Sequence, residues 1–332
     1  QNRYLSDRVY KDMKEHGKIV LGIRNSALST AQALDFQNKL LLTSPVYNKN
    51  SILIKYIKTS GDIHNTHRLD QLGGKGLFVK EIEDQILSGN VDIGIHSVKD
   101  LPAKETQGLK IVCWLERLNP CDALISNSKQ GLKDLPAGSV IGTSSIRRRS
   151  QILSLRKDLK IKLLRGNVDT RIQKLNNGEY DAIVLSYAGL IRLNKDNLIS
   201  DLLSVDEFLP ASCQGAVGIQ IQNLNHDSEL TSSLNNINHL NTELTCSTER
   251  EVLKSINANC NSPVSVYSTI DKNSISIQCQ LFDHKGLILF NESIQGSIEN
   301  NLQLAQKLGK QIIDQVGQEK INELDKLKDD FD

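Results

Sequence analysis

The sequence predicts an α/β protein built as two successive series of βα units and closed by a small α+β domain. Three observations predict it. Through the first two thirds of the chain, short apolar strands alternate with segments of helical periodicity, the pattern of βα units and a largely parallel sheet. Polar residues gather at the C-terminal ends of those strands, where open α/β sheets hold their ligands. After about residue 235 the pattern changes to closely spaced strands around a hairpin turn, which reads as antiparallel packing.

Lys18 to Ile23 forms the first predicted strand, followed by Arg24 and by Ser26 as the N-cap of a helix with Ala27, Ala31, Leu34 and Leu41 on one face. Ser51 to Ile57 is a second strand. A glycine turn, Gly73-Gly74-Lys75-Gly76, leads into a helix carrying Phe78, Ile82 and Ile86. The next strand alternates Val91, Ile93 and Ile95 with Asp92, Gly94 and His96, which aims His96 away from the apolar face. It ends in Ser97-Val98-Lys99-Asp100. The second series contains strands at Asp122 to Ser126, Ser139 to Thr143, Lys160 to Leu164 and Asp181 to Ser186. In the last part, Ser262 to Thr269, Ser274 to Leu281 and Leu287 to Phe290 read as strands, with Asp283-His284-Lys285-Gly286 as the hairpin turn. A helix with Leu304, Leu308, Ile312 and Val316 follows.

Composition narrows the function. The 332 residues are 39% hydrophobic and 24% charged, enough for two or three domains with their own cores. Lys plus Arg (40) nearly cancel Asp plus Glu (39), so no global field draws the chain to nucleic acid or acidic membranes. Any anion site is local. The six cysteines are scattered without a Cys-x-x-Cys pair, consistent with a reducing compartment and with no zinc motif, so no metal is expected. Apolar runs are too short to span a bilayer, and residues 1 to 17 lack the apolar core of a signal peptide. The expected compartment is the cytoplasm, or a plastid if an N-terminal targeting segment has been removed.

The segment Gly142-Thr143-Ser144-Ser145-Ile146-Arg147-Arg148-Arg149 carries the strongest chemical signal. Hydroxyl residues end a strand and cap a helix, yet arginines crowd the first turn, where the helix dipole is already positive. Such a start calls for an anion, gripped by backbone N–H groups and guanidinium forks. A solvated basic face is the plain alternative for an isolated Arg triplet. Recurrence argues against it, because Leu164-Arg165-Gly166-Asn167-Val168-Asp169-Thr170-Arg171 and Arg24-Asn25-Ser26 repeat the design at two further strand ends. Together they predict a ligand with several carboxylates, held in a cleft between α/β domains.

Gly73 to Gly76 lacks the spacing of a nucleotide phosphate loop and serves better to bring Lys75 and Lys80 near a ligand. Asp100 precedes Leu101-Pro102, whose extended geometry can present a carboxylate to a cleft as a general acid or cation stabiliser. A lone Asp before Leu-Pro is also an ordinary turn former. His96 reads as structural, or as a hydrogen-bond partner near Asp100. Cys260, on the irregular loop Asn257-Ala258-Asn259-Cys260-Asn261-Ser262-Pro263, is the cysteine most open to reaction, although any single cysteine is more often a packing residue.

Six segments together resemble the hydroxymethylbilane synthase, or porphobilinogen deaminase, family: Gly73 to Glu81, His96 to Pro102, Gly142 to Arg148, Leu164 to Arg171, Asn177 to Ile183 and Gln214 to Gly218. The resemblance runs from about Lys18 to the last helix. It implies two doubly wound domains similar to periplasmic binding proteins, residues 18–116 with 216–235 and residues 120–210, plus a small α+β domain, residues 239–332. It further implies a transferase of haem and tetrapyrrole biosynthesis that joins four porphobilinogens head to tail, releases four ammonia molecules and frees linear hydroxymethylbilane. The reaction is primed by a dipyrromethane cofactor attached to Cys260 through a thioether. By the same resemblance Asp100 is the catalytic carboxylate. Lys75, Ser97, Lys99, Thr143, Ser144, Ser145, Arg147, Arg148, Arg171, Gln214 and Gly215 contact cofactor or growing chain, and Arg24, Ser26, Arg165 and Arg192 receive substrate carboxylates. The expected partner is porphobilinogen alone, bound by a monomer without nucleic acid or membrane.

The chain departs from the family pattern at Gln71, where lysine is common, at Ala258-Asn259, where two glycines usually precede the thiol, at Asn241, where an acidic residue is usual, and at the extra Arg149. The rival from another class is a two-domain carboxylate-binding or sensor protein of the same fold without catalysis. It accounts for the arginines but not for Asp100 together with Cys260. Nucleic-acid binding fails on neutral charge and on 4% aromatic content.

Overall fold

The computed structural model describes residues 18–59, 79–223, 228–258 and 262–326; Gln71, the glycine turn with Lys75, and Cys260 lie outside the described residues. The chain opens with β1 (Ile19–Arg24), buried until Arg24. Ser26 then caps α1 (Ala27–Thr43), its Oγ accepting the Ser29 backbone N–H at 3.1 Å. The buried face of α1 is not the expected one. Ser29, Gln32, Ala33, Phe36 and Leu40 are buried, whereas Leu34 is 44% exposed. Phe36 and Leu40, one turn apart, offer more apolar area than the predicted alanines and take the core face. Gln32 joins them because its Nε2 donates to Ser97 Oγ at 2.8 Å.

After β2 (Ile52–Ile57) come α2 (Lys80–Leu87), β3 (Ile93–Ser97) and β4 (Leu109–Trp114). The second series comprises β5 (Asp122–Ser126), β6 (Val140–Thr143), α3 (Ile146–Leu155), β7 (Lys160–Leu163), α4 (Val168–Asn176), β8 (Ala182–Ser186), α5 (Tyr187–Arg192) and β9 (Asp201–Leu203). Then follow β10 (Val217–Gln222), α6 (Ser228–Ile237) and α7 (Leu240–Ser255). The chain ends in β11 (Val264–Asp271), β12 (Ser274–Phe282), β13 (Ile288–Ser297), α8 (Asn301–Val316) and α9 (Gln318–Lys326). These elements fall into two compact units, Gln1–Arg117 with Ala216–Glu243, and Leu118–Gly215 with Leu244–Asp332.

In the first unit the sheet order is β2-β1-β3-β10-β4. β1 pairs in parallel with β2 and β3, but β10 runs antiparallel between β3 and β4. The sheet is therefore mixed rather than largely parallel. The strand that breaks the pattern comes from a distant part of the chain, and apolar runs carry no mark of direction. Both faces of β3 are covered. Ile93 and Ile95 pack with Phe36 and Leu40. On the other face, a Cβ on Gly94 would lie 2.7 Å from both His96 Nε2 and Ile86 Cδ1, which puts His96 beneath α2. His96 lies away from the face of Ile93 and Ile95, as alternation predicts, and is only 4% exposed because a sheet covered by helices buries both sides.

The second unit contains a five-stranded sheet of order β7-β6-β8-β5-β9 and a three-stranded sheet β11-β12-β13. β6 is parallel to β7 and β8, while β5 is antiparallel to β8 and β9. Apolar clusters around Leu124, Ile152 and Val184 and around Ile125, Ile172 and Leu185 fill its two faces. The three-stranded sheet is antiparallel, as expected, and packs Val266, Ile277 and Leu281 against Val252, Leu308 and Ile312.

α3 is tied to this small sheet. Gln151 Nε2 donates to Leu209 O at 2.9 Å and to Ser265 Oγ at 3.1 Å, and Ser265 Oγ donates to Leu209 O at 2.9 Å. The hairpin turn closes the contact. Gly286 has φ 87°, and a Cβ there would stand 2.5 Å from Ser154 N and 2.8 Å from Ser150 O, both backbone atoms of α3. Backbone strain and overpacking then act together, so Gly286→Ala should lower stability by roughly 2–5 kcal/mol in urea denaturation. A change under about 0.5 kcal/mol, the range of ordinary surface substitutions, would contradict that packing.

Candidate active site

In the first unit, Arg24 at the end of β1, Ser26 at the start of α1, Ser97 at the end of β3 and Asp100 line one pocket. β1 and β3 are parallel neighbours, which brings their C-terminal ends, and the polar residues on them, side by side. Asp100 closes the single 3-10 turn Val98–Asp100, which also contains Lys99. The turn is pinned from below: Val98 is buried, and its N–H donates to Ala216 O at 3.1 Å. Leu101 then leaves extended, at φ −78° and ψ 139°, the geometry that the following proline imposes. Four residues foreseen from two separate segments thus meet at one place. Gln32, which the sequence reading missed, supports the group through its bond to Ser97.

His96 forms part of the pocket floor. Burial lowers its pKa from 6.5 to about 4, an effect that the Gln220 side chain only partly offsets. It is a neutral group at physiological pH. In the unfolded chain His96 takes up a proton near pH 6.5 that the folded chain refuses until about pH 4, so stability falls with pH across that window. The loss is about 1.4 kcal/mol per pH unit. His96→Gln should flatten the stability profile between pH 6.5 and 4, measured by urea titration; an unchanged slope would show that His96 is protonated in the native state.

In the second unit, β6 ends at Thr143 and α3 begins after Ser145. Thr143 Oγ1 accepts the Ser145 N–H at 3.1 Å, and Ser145 Oγ accepts the Arg148 N–H at 3.4 Å; Ser144 lies half-buried between them. The cap is as expected; the partner of the arginines is not. Arg147 Nη2 donates to Asp122 Oδ2 at 2.7 Å, while Arg148 Nε and Nη2 donate to Asp122 Oδ1 at 2.9 and 2.7 Å. Arg147 Nη1 also reaches Leu209 O at 2.9 Å, and Arg148 Nη1 reaches Val184 O at 3.0 Å. Gln214 Nε2 completes the group, donating to Pro120 O at 2.7 Å and to Asp122 Oδ1 at 2.9 Å.

Asp122 is fully buried and both arginines are buried. The picture of two guanidinium forks reaching outward for a ligand is corrected accordingly: their first partner is a carboxylate of the chain itself. A buried guanidinium without such a partner carries a large desolvation cost. Burial opposes ionisation of Asp122, but Arg147 and Arg148 outweigh it and hold its carboxyl below the usual carboxylate range. One carboxylate between two guanidiniums leaves a net positive charge at the N-terminal end of α3, where the dipole adds to it. That arrangement still favours an anion.

The next strand end repeats the design. Asn167 caps α4 by accepting the Thr170 N–H at 2.9 Å, and Arg171 Nε donates to Gly166 O at 2.7 Å. Arg165 is half-buried beside them. Arg192 Nη2 donates to Gly215 O at 3.0 Å, next to Gln214. The loop that carries Cys260 is anchored on either side of the undescribed residues. Ala258 N–H donates to Leu253 O at 2.9 Å, and Ser262 Oγ is hydrogen-bonded to Asp325 Oδ1.

Asp122 is the residue the sequence reading passed over. Its signal was an acidic side chain at the start of an otherwise apolar strand, Asp122-Ala123-Leu124-Ile125, a position that needs a buried cation. Asp122→Asn strips two buried arginines of their counter-charge, so stability should fall by roughly 3–5 kcal/mol in denaturant titrations. A loss under about 1 kcal/mol, the worth of an exposed pair, would contradict the buried triad.

Comparison with known proteins gives the family. Residues 19–231 match the family model described as porphobilinogen deaminase, dipyromethane cofactor binding domain, and residues 243–314 match the model of the porphobilinogen deaminase C-terminal domain. The chain is 40% identical over 308 residues to the porphobilinogen deaminase of Ehrlichia chaffeensis, covering 90% of this chain and 99% of that protein. It is 40% identical over 296 residues to the enzyme of Clostridioides difficile, covering 89% of this chain and 97% of that one. The chloroplastic porphobilinogen deaminase of Oryza sativa is 42% identical over 256 residues, covering 77% of this chain and 71% of that protein. Matched along nearly its whole length, the chain belongs to the porphobilinogen deaminase family.

Proposed function

We propose that Asp100 is the catalytic carboxylate of this hydroxymethylbilane synthase, and that the basic strand ends hold its polycarboxylate cofactor and product. The observation that carries the proposal is the pocket shared by Arg24, Ser26, Ser97 and Asp100. Porphobilinogen brings two carboxylates, which suit Arg24 and the Ser26 hydroxyl, with Arg165 and Arg192 as further receivers in the second unit. Loss of ammonia from porphobilinogen leaves a cationic pyrrole. A fixed carboxylate at Asp100, in a pocket floored by the uncharged His96, lowers the barrier by stabilising that positive charge. A neutral His96 adds no further cation to the one, Arg24, that already lines the pocket.

The residues present fit a dipyrromethane group. The excess positive charge of the Arg147–Asp122–Arg148 triad and of Arg171, with the hydroxyls of Thr143, Ser144 and Ser145, would answer its carboxylates. Gln214, Gly215, Ser97, Lys99 and Lys75 complete the proposed contacts. Cys260 would hold the group, which would supply the pyrrole carbon that primes the chain. The proposal includes the three-domain division at residues 18–116 with 216–235, 120–210 and 239–332. It also includes a monomer that acts without nucleic acid or membrane, in the cytoplasm or in a plastid. Among the described residues no helix is long and apolar enough to cross a membrane.

Asp100→Ala should reduce ammonia release from porphobilinogen by at least about 100-fold while leaving the unfolding midpoint unchanged, since the side chain is only partly buried. Near-normal turnover would sink the assignment. The intact mass of the purified protein should exceed that of the sequence by one dipyrromethane, and Cys260→Ser should abolish the excess. An active protein of unmodified mass would refute the tether.

A further inference from the structure

Cys213, Cys246 and Glu249 form a buried cluster that the proposed chemistry does not use, next in the chain to Gln214. One ligand atom from each, the two Sγ atoms and a carboxylate oxygen, lie within 4.8 Å of one another. All three residues belong to the second unit. The cysteines are 33 positions apart, so no spacing motif announces them. Only the fold brings them together.

The chain accepts an unusual backbone to make this contact. Cys213 has φ 59°, the left-handed region that favours glycine. Its N–H donates to Glu249 Oε2 at 2.6 Å, and its Sγ lies 3.5 Å from Cys246 O. Glu249 is placed in turn by Ser268, whose N–H and Oγ reach Oε1 at 2.9 and 3.2 Å. Cys246 and Glu249 are three apart on α7 and therefore share a helix face. Two sulfurs and one carboxylate oxygen are thus fixed by three elements: the loop before β10, α7 and β11.

We propose that this cluster is a binding site for a thiophilic d10 divalent cation, with Zn2+ the representative ion. Two thiols and a carboxylate are zinc donors, and ligand atoms around a tetrahedral zinc stand roughly 3.5–3.8 Å apart, from bond lengths of about 2.0–2.3 Å. Side-chain rotations close the remaining distance. Binding replaces two S–H bonds by two Zn–S bonds and adds one Zn–O bond, so two protons leave to solvent for each ion. The fourth position falls to water near Ser212, whose Oγ lies 3.4 Å from Cys213 Sγ. The ion would tie the loop that carries Gln214 to α7.

The test uses the purified holoprotein, reduced and freed of metal, with the cofactor in place. One equivalent of Zn2+ should bind, by elemental analysis after gel filtration, with release of two protons read from the buffer dependence of the binding heat. Co2+ should give a thiolate-to-metal charge-transfer band. Cys213→Gly, which suits the left-handed backbone and removes one ligand, should stay folded and lose both the equivalent and the band. Cys246→Ala should lose them too. Retention of stoichiometric zinc in both variants, or its absence from the wild type, overturns the site. Equally, a wild type that takes no zinc and joins the two thiols as a disulfide under oxidised glutathione would make the cluster a redox pair instead of a metal site.

Discussion

Asp122 sits beneath the arginine-rich start of α3, and the polar architecture of the second unit depends on it. Its two oxygens take hydrogen bonds from Arg147, Arg148 and Gln214. Those side chains in turn reach Leu209, Val184 and Pro120. One buried carboxylate therefore fixes the helix start, a neighbouring strand and the loop that precedes β10. The pair of guanidiniums outweighs its charge, and in a low-dielectric setting the surplus is felt strongly. Structure and anion affinity here are one arrangement: the ion pair that allows two arginines to be buried also leaves a positive charge for a ligand to answer.

The first unit distributes charge differently. Its pocket brings Arg24 and Asp100 to adjacent strand ends, over a histidine that burial keeps neutral. Within this pocket the charged side chains, Arg24 and Asp100, stand at or just beyond strand ends, and the histidine that lines it with them carries no charge at neutral pH. Gln32 shows how helix packing serves that order. A polar side chain on the core face of α1 is tolerated because it reaches Ser97, and the reach holds a pocket residue in place.

Much of this was legible in the sequence. Strands such as Ile52–Ile57 and Ala182–Ser186, the caps at Ser26 and Ser145, and the hairpin turn ending at Gly286 follow from local pattern. The motifs around Asp100 and Arg147 gave the family. What pattern could not supply is distance. The face of α1 was misread because alanines at regular spacing yielded to Phe36 and Leu40. Alternation put His96 on the face opposite Ile93 and Ile95, where it lies, but does not say that this face too is covered. Asp122 and Arg147 are 25 residues apart, and the contact between Cys213 and Cys246 spans 33; neither pair has a local signature.

The position of β10 governs when the first unit can form. This strand lies between β3 and β4 and gives β4 its sheet partner, and its Val217, Ile219 and Ile221 belong to the same apolar cluster as Leu21 and Phe36. A ribosome delivers residues 118–215 before it delivers the strand that completes the sheet of residues 1–117. The N-terminal segment must wait, with β3 and β4 apart and apolar surface uncovered, while the following sheet is synthesised in full. The first sheet is therefore completed only after the second is made, against the order of N-terminus-first folding, and any product ending before Val217 lacks the strand that joins β3 to β4.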